Sequence, residues 1–394
     1  MKGTTNMDIR IFMLALATFV TGTAENIIVG ILPGIASGLD VSVSAAGQLT
    51  SIFSITFALA APLLLILTTR LERKAILVSA LGVFIASNIA ASSSPNYGVL
   101  FAARIGMAAA SAAVCLIATM LATELVNPAM RGRAIGIIFM GISGSMVAGV
   151  PTGMIVNEWL GWRAVFLCLA SAAALVMILS MRALPSTGPS QRGLPPYMPH
   201  LRSFRLVSAQ LVSILMIGGH FVLFAYLAPY LLEAVHISSQ RIIWAMLAFG
   251  LAGMTGGYLG GLLADKLSPQ LAVVLTPFLY LTALMAIPFA ISSSTAFGAV
   301  LIIWACLSWM ISPVVQSFLI ATDPETAEAG VGINLSAMHL GVALGTATGG
   351  LALEYISLQT LPWTGSVLVA LSLLCALNAS RSFQGRMASI GTSR

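Results

Sequence analysis

The chain has 394 residues, of which 58% are hydrophobic and only 8% are charged, and its formal net charge is +6. An average soluble domain contains about 25% charged residues, so this composition excludes a water-soluble fold of the same size. The surface must instead be covered mostly by lipid.

Apolar stretches that are long enough to cross a bilayer recur along almost the whole chain. A membrane-spanning helix needs about 20 residues, and runs of this length lie between breaks at glycine, proline and charged residues. The first run follows the basic segment 1–10 and continues to about Pro33 without a clear small-residue cleavage site, which indicates a membrane helix rather than a signal peptide. The predicted spans are 11–33, 44–67, 75–93, 97–123, 134–156, 162–181, 206–233, 241–264, 270–292, 296–320, 330–354 and 362–380.

The basic residues predict which side of the membrane each loop occupies. If both termini are cytoplasmic, 15 of the 18 Lys and Arg residues fall inside, whereas Arg163 and Arg241 fall in outside loops and Arg104 lies within a span. Short basic loops resist translocation, so we expect cytoplasmic N- and C-termini in a bacterial-type inner (plasma) membrane. The same asymmetry accounts for the net charge without nucleic acid.

Residues 182–205 predict a cytoplasmic linker between two halves. They combine serine, glycine and basic residues with a series of prolines, a composition typical of linkers. We therefore expect an N-terminal six-helix bundle at 1–181 and a C-terminal six-helix bundle with a short cytoplasmic tail at 206–394. The prolines are Pro185, Pro189, Pro195, Pro196 and Pro199.

The two halves also match each other at a constant offset of 196 residues. Single matches mean little in a chain rich in glycine and alanine, but these are distributed over helix ends and loops in both halves. Parallel repeats suit alternating access, in which two bundles rock about a site near mid-membrane; a duplication that only records ancestry is the alternative. The offset aligns Pro33 with Pro229, Arg70 with Lys266, Pro128 with Pro324, Gly136 with Gly332, Gly149 with Gly345 and Gly153 with Gly349.

Two charged residues inside predicted spans are candidates for proton coupling, because buried charges in a bilayer are costly. Glu25 lies 8 residues before Pro33, and Arg104 lies 8 residues after Asn96. At a rise of about 1.5 Å per residue both lie roughly 12 Å below the outer surface, so they can meet. Opening and closing this contact would change the proton affinity of Glu25. A permanent structural ion pair is the alternative.

Other side chains within the spans are candidates for substrate binding. His220 lies near the depth of Glu25 in the repeat-related span, and His339 lies near the middle of the eleventh span, where an imidazole can bond a solute or relay a proton. Amides offer donors and acceptors to a polar solute. Packing and interhelical hydrogen bonding are the alternatives. The candidates are Asn26, His220, Tyr226, Gln316, Asn334 and His339.

Segment 144–153 of the fifth span reads Gly-Ser-Met-Val-Ala-Gly-Val-Pro-Thr-Gly. Segment 68–74, between the second and third spans, reads Thr-Thr-Arg-Leu-Glu-Arg-Lys, and segment 261–266 reads Gly-Leu-Leu-Ala-Asp-Lys. These segments resemble the antiporter motif and the cytoplasmic loops of the major facilitator superfamily, in particular its drug and sugar efflux branch of proton antiporters. Thr69 departs from the pattern, because the family normally has Asp at this position.

The resemblance covers about residues 8–380. Arg104 and the residues after it resemble the family motif that begins with a membrane-embedded arginine, although Met107 and Ala108 replace the usual Gln and Gly. Residues 23–33 resemble the intramembrane glutamate and the Gly-Leu-Pro end of the efflux branch's first helix. The resemblance implies an all-α fold of twelve transmembrane helices in two pseudo-symmetric six-helix bundles.

The resemblance further implies residues that control conformational change. In the fifth span, small residues permit close helix approach, and Pro151 removes a backbone donor and bends the helix; a packing kink without a transport role is the alternative. In the loops, a carboxylate and basic residues hold neighbouring helix ends through charge and helix dipoles. The residues concerned are Gly144, Gly149, Pro151, Gly153, Arg70, Arg73, Asp265 and Lys266.

These features predict a secondary active transporter that exports a sugar, a nucleoside-like solute or an amphipathic drug by proton antiport. We expect a functional monomer in the lipid bilayer, driven by a proton gradient and without a cofactor. A facilitator or importer of a small polar solute and a solute sensor without flux are alternatives. An enzyme is not expected, because HExxH, GxSxG and Walker motifs are lacking and the cysteines do not have metal-site spacing: Cys115, Cys168, Cys306 and Cys375.

Overall fold

The computed structural model describes residues 8–68, 71–127, 130–185 and 197–391. These residues form fifteen α-helices and no strand, and twelve of their helical segments are long and apolar enough to cross a membrane. The predicted all-α fold with twelve transmembrane helices is confirmed. The helices are α1 (Ile9–Gly38), α2 (Val43–Thr68), α3 (Arg73–Ser92), α4 (Tyr97–Glu124), α5 (Arg131–Gly144), α6 (Val150–Leu160), α7 (Trp162–Ala183), α8 (Tyr197–Arg202), α9 (Phe204–Phe224), α10 (Leu227–Pro229), α11 (Ser239–Lys266), α12 (Pro269–Ala290), α13 (Ser294–Thr322), α14 (Ala327–Tyr355) and α15 (Leu361–Gly391).

The fifth span contains an irregular turn. Between α5 and α6 lies a π-helical turn, Ser145–Gly149, in which Val150 N donates to Ser145 O, five residues earlier. Pro151 follows directly and has no N–H to offer the carbonyl of Val147. An extra residue in a helical turn is the usual form of such a π-bulge, and here it lies inside the predicted antiporter motif.

The predicted span 206–233 contains a regular helix only up to Phe224 and is broken beyond it. α9 ends at Phe224, and the chain turns before α10 and a second π-helical turn, Tyr230–Ala234. The cause is Pro229, which cannot donate to the carbonyl of Ala225 and whose ring clashes with that carbonyl in a regular helix.

The chain divides into two compact units. The first comprises Met1–Val41 and Leu59–Leu194, and the second comprises Ser42–Ala58 and Pro195–Arg394. The first part of α2 groups with the C-terminal helices because its hydroxyls reach α14. Ser44 Oγ donates to Gly350 O at 2.8 Å, and Ser51 Oγ donates to Ala343 O at 3.4 Å. The division into six-helix bundles joined at 182–205 stays a prediction.

In the first unit, α1 packs very closely against the fifth span. A Cβ at Gly149 would overlap the side chain of Thr23, and a Cβ at Gly153 would overlap that of Ile27. Interhelical contacts in membranes favour such small residues because they bring backbones together. The packing therefore requires glycine at position 149, where the stiff Thr23 side chain leaves no room, whereas at position 153 the end of the Ile27 side chain would have to shift.

In the second unit, α9 and α14 form an equivalent seam. Here a Cβ on α14 would clash with the α9 backbone at three successive turns. Gly345 and Gly349 are the residues that the 196-residue offset aligns with Gly149 and Gly153, so the repeat is present in the packing as well as in the sequence. An added Cβ would overlap Ile214 O at Gly341, Gly218 O at Gly345 and Val222 O at Gly349.

Alanine substitutions test the two seams. We expect Gly149→Ala and Gly345→Ala each to lower the free energy of unfolding by about 1–3 kcal/mol, because an added methyl group overpacks a close interface. Gly136→Ala and Gly332→Ala are matched controls, since the offset pairs them as well and a Cβ at either position meets nothing within 4 Å. Thermal unfolding in detergent measures the effect. Equal melting temperatures for all four variants would contradict the requirement for glycine.

Candidate functional site

Arg104 on α4 is completely buried and reaches the turn of α1 that carries Glu25. Its Nη1 donates to Ala24 O at 2.6 Å, and its Nη2 donates to Glu25 O at 3.4 Å. Nη1 also lies 3.9 Å from the sulfur of Met107. The structure thus brings together the two residues for which the sequence predicts the same depth in the membrane. The guanidinium of Arg104 joins α4 to the backbone of α1.

Glu25 is partly exposed, and two groups of α4 lie within electrostatic range of it. These are the guanidinium of Arg104 and the thiol of Cys115. The two residues are eleven positions apart (115 − 104), about three helical turns, so they share one face of α4. The spacing alone does not predict that Cys115 lies near Glu25, because eleven residues span roughly 16 Å along the helix axis. The proton-coupling roles of Glu25 and Arg104 stay predictions.

The π-helical turn lies beside the same part of α1. A Cβ at Gly22 would come within 2.7 Å of Ser145 Oγ, the first residue of that turn. Asn26 bonds within its own helix, since its Nδ2 donates to Gly22 O at 3.0 Å. The π-helical turn therefore packs one helical turn away from Glu25.

Two basic residues of the predicted loop motif hold helix ends of the first unit together. Arg73, at the start of α3, is buried and forms an ion pair with Glu124 at the end of α4. Lys74 Nζ donates to the carbonyl of Leu184, the C-cap of α7, at 2.7 Å, where the helix dipole favours a cation. Glu124 is not among the residues predicted from the sequence; its signal is a carboxylate at the end of a span on the side of the basic loops.

The other predicted motif residues differ in what the structure describes of them. Arg70 and the side chain of Asp265 lie outside the described residues, and Lys266 is the last residue of α11. A Cβ at Gly144 would lie 3.6 Å from the ring of Phe19, which is ordinary van der Waals contact. Close packing thus requires glycine at position 149 but not at position 144.

Two of the amide candidates have different surroundings. Asn334 on α14 is fully buried, and its Nδ2 donates to Gln210 Oε1 and to Ser213 Oγ on α9, each at 2.9 Å. Gln316 bonds within α13, where its Nε2 donates to Ser312 Oγ at 3.1 Å. Asn334 therefore connects two helices, whereas the described bond of Gln316 is local.

His220 lies in a cluster of aromatic side chains from four helices. Trp304 Nε1 donates to Tyr280 Oη at 2.5 Å, and His220 Nδ1 lies 2.8 Å from the same oxygen. An indole can only donate, so the Tyr280 oxygen accepts from Trp304 and its hydrogen remains available for a bond to His220 Nδ1. Phe224 and Phe249 stack on the imidazole with centroids 4.9 and 6.0 Å away. A neutral imidazole satisfies this arrangement.

Tyr226 and His339 both bond to the backbone of α14. Tyr226 Oη donates to Thr346 O at 2.9 Å, and His339 Nδ1 donates to Leu335 O at 2.9 Å. The His339 ring also stacks on Phe57, with centroids 3.9 Å apart. The six candidates for substrate binding thus have protein partners of their own, and their roles toward a solute stay predictions.

A cavity of about 540 Å³ lies at the predicted outer ends of the spans in the second unit. Its lining includes two carboxylates, Glu233 and Glu354, together with Ser42, Ser44 and Gln359. Neither carboxylate was predicted to be functional, because each lies at the end of a predicted span, where a charge faces water at little cost. The cavity gives this unit an acidic opening.

The chain is similar to known transporters in both sequence and structure. The sequence model of the Major Facilitator Superfamily matches residues 14–329. The uncharacterized MFS-type transporter YbcL of Bacillus subtilis (strain 168) is 31% identical over 369 residues, which cover 93% of this chain and 95% of that protein. A probable sugar efflux transporter of Mannheimia succiniciproducens is 28% identical over 367 residues, 93% of this chain and 92% of that protein. The crystal structure of a bacterial homolog to the human lysosomal transporter Spinster superposes with a TM-score of 0.79 at 17% sequence identity, covering 96% of this chain and 97% of that chain.

The ion pair of Arg73 and Glu124 leads to a stability prediction. We expect Glu124→Gln to lower the free energy of unfolding by about 1 kcal/mol, less than the roughly 3–5 kcal/mol of a fully buried pair, because the Glu124 side chain is 39% exposed. Glu158→Gln, which changes an exposed carboxylate of α6, is the control. Thermal unfolding at neutral pH compares the two. If both variants melt together, Arg73 does not depend on this carboxylate.

Proposed function

Because the chain belongs to the Major Facilitator Superfamily, we propose that it is a proton-coupled transporter that exports small molecules from the cytoplasm. Membership of the family makes it a membrane-embedded transporter of a small-molecule substrate. The direction of transport, the coupling ion and the class of solute are the parts that we infer.

The contact of Arg104 with the α1 turn bearing Glu25 carries the proposal. An arginine stays protonated at any physiological pH, whereas a glutamate in a transport pathway alternates between carboxylate and carboxylic acid. A deprotonated Glu25 is attracted to the guanidinium, and a protonated Glu25 is not. Binding of one proton therefore changes the electrostatic balance between α1 and α4 without moving any charge of Arg104.

Antiport results if the proton and the solute bind to the protein in alternation rather than together. Glu25 takes up a proton from the outside and releases it inside, and the solute leaves in the opposite direction. The π-helical turn at Ser145 packs against Gly22 on α1, so it is the element that relays the state of Glu25 to the fifth span. Alternating access then uses a local change at one turn rather than a rearrangement of every helix.

The inferred direction and solute class come from the chain's similarities. Segment 144–153 resembles the antiporter motif of exporters, and one relative is named a probable sugar efflux transporter. We infer that the solute is a sugar, a nucleoside-like molecule or an amphipathic drug and that one chain is sufficient for transport.

Glu25→Gln tests the coupling. The amide preserves size and hydrogen bonding but cannot carry a proton, so we expect proton-driven export to fall to background while the protein folds normally. Exchange of labelled for unlabelled solute at equal pH on both sides should persist, because it requires no net proton transfer. Proteoliposomes with an imposed pH gradient, supplied with sugars, nucleosides or amphipathic cations, measure both activities.

The matched control is Glu158→Gln, which removes an exposed carboxylate of the same unit and should export like the wild type. Accumulation of solute against its gradient by a well-folded Glu25→Gln protein would exclude Glu25 as the proton carrier. Solute uptake in the direction of proton flow would reverse the proposed direction.

A double substitution distinguishes a proton switch from a permanent structural pair. Arg104→Lys should keep part of the coupling, because a cation remains although the planar donor geometry is lost. We expect Arg104→Ala and Glu25→Gln to stay uncoupled when combined. If the pair is only structural, each single change leaves an uncompensated group and the combination restores yield and transport. To distinguish the two explanations, export is measured as a function of pH, together with thermal stability, for both single variants and the double variant. Recovery of coupled export in the double variant would show that the pair has a structural role only.

A further inference from the structure

His200 anchors a short helix of the predicted linker to the second unit. It belongs to α8, a helix of 6 residues, and only 1% of its surface is exposed. α8 packs against α9 and α14. A Cβ at Gly330 on α14 would come within 2.7 Å of His200 Cε1. The imidazole therefore fits only because position 330 has no side chain.

The hydrogen bonds around His200 determine the orientation of Gln210. Gln210 Nε2 lies 3.1 Å from His200 Nε2 and donates to Gly330 O at 2.9 Å. Asn334 Nδ2 donates to Gln210 Oε1, also at 2.9 Å. If the amide were turned around, its oxygen would face the Gly330 carbonyl and its nitrogen would face that of Asn334. The amide nitrogen therefore faces His200, and His200 Nε2 must accept a hydrogen bond.

A neutral imidazole fits this network, and a protonated one does not. In the neutral ring Nε2 accepts and Nδ1 carries the hydrogen, whereas both nitrogens of an imidazolium donate. Protonation would thus point an N–H of His200 at an N–H of Gln210. Among the described residues Nδ1 has no hydrogen-bond partner, so the N–H that it carries in either protonation state gives the added charge no compensation.

The charged groups around the cluster do not reverse this preference. Burial lowers the pKa of His200 from its usual 6.5, and the negative charge of Asp323, which follows α13, opposes this shift only in part. The side chain of Glu328 lies outside the described residues. The other charged side chains on the adjoining segments are Arg205, whose Nε donates to Ala379 O on α15, and the exposed Arg202 and Glu325.

We propose that His200 is a pH-dependent anchor: the neutral ring docks α8 on α9 and α14, and protonation releases α8 and slows transport. Since the pKa of the docked ring is depressed, docking is strongest above the pKa of a free histidine, about 6.5, and weakens as the pH falls toward the lower value. An exporter that takes up protons acidifies the side on which α8 is predicted to lie, so release limits further uptake. This regulatory step rests on the proposed function, whereas docking does not.

Hydrogen exchange of the backbone amides in residues 197–203 measures docking. In nanodiscs the pH is the same on both faces, so Glu25 experiences no gradient. We expect the wild type to lose protection in this segment between about pH 7.5 and about pH 5.5, on either side of the free histidine pKa, after correction for the intrinsic pH dependence of exchange.

Substitutions assign the response to His200. His200→Gln is neutral at every pH and its oxygen can accept from Gln210, so α8 should stay protected at both pH values, whereas His200→Lys should leave it unprotected at both. Gly330→Ala should displace the ring and remove protection at both. Its control is Gly332→Ala, where a Cβ meets nothing within 4 Å. His236→Gln, outside the cluster, controls for the loss of a histidine.

Equal loss of protection on acidification in His200→Gln and the wild type would overturn the anchor. Solute exchange in proteoliposomes at the same symmetric pH values tests regulation: the wild type should slow at acid pH and His200→Gln should not. Equal slowing of both would overturn the regulatory step. If neither the wild type nor any variant transports a solute, the proposed function is wrong and the regulatory step is wrong with it. Hydrogen exchange still tests whether His200 docks α8.

Discussion

Close approach of glycine-lined helices is the constraint on which both units depend. Lipid tails are as apolar as the side chains they surround, so helices in a bilayer associate through tight packing and hydrogen bonds rather than through the hydrophobic effect. α14 meets this need by setting Gly341, Gly345 and Gly349 against successive carbonyls of α9, and the fifth span does so with Gly149 and Gly153 against α1. The internal repeat is therefore also a repeat of close helix packing, against α1 side chains in the first unit and against α9 carbonyls in the second.

The repeat conserves this packing but not the chemistry. The offset of 196 residues places Phe221 at the position of Glu25 and Val300 at the position of Arg104, so the second unit lacks both charges at these positions. Aromatic rings around His220 occupy the corresponding region instead. Because a buried charge is costly in a bilayer, we infer that the proposed proton coupling uses only the charged residues of the first unit.

The spans could be predicted from the sequence because length and hydropathy are local properties. The break in the seventh span could not be predicted in this way. Pro229 lies at that break, but Pro33, which the offset aligns with it, lies inside an unbroken α1. Counting residues from the surface predicted that Arg104 reaches α1, but not that backbone carbonyls accept its hydrogen bonds, which depends on the side-chain conformation. The contacts of Glu124 and His200 could not be predicted, because their partners are distant in sequence. The composition around His200 indicates only a linker.

We infer that Arg104 also limits how the first unit responds to the proton that Glu25 is proposed to bind. Its guanidinium is fully buried and bonded to the α1 backbone, so separating α1 from α4 would strand a charge in a medium that cannot solvate it. Glu25 is partly exposed, so in the proposed mechanism it is protonated while the two helices stay together. We infer that the response passes along α1 to Gly22 and Ser145. There the π-helical turn has already given up the regular hydrogen-bond ladder, a common feature of functional sites in helices, and it deforms at lower cost than the helices on either side.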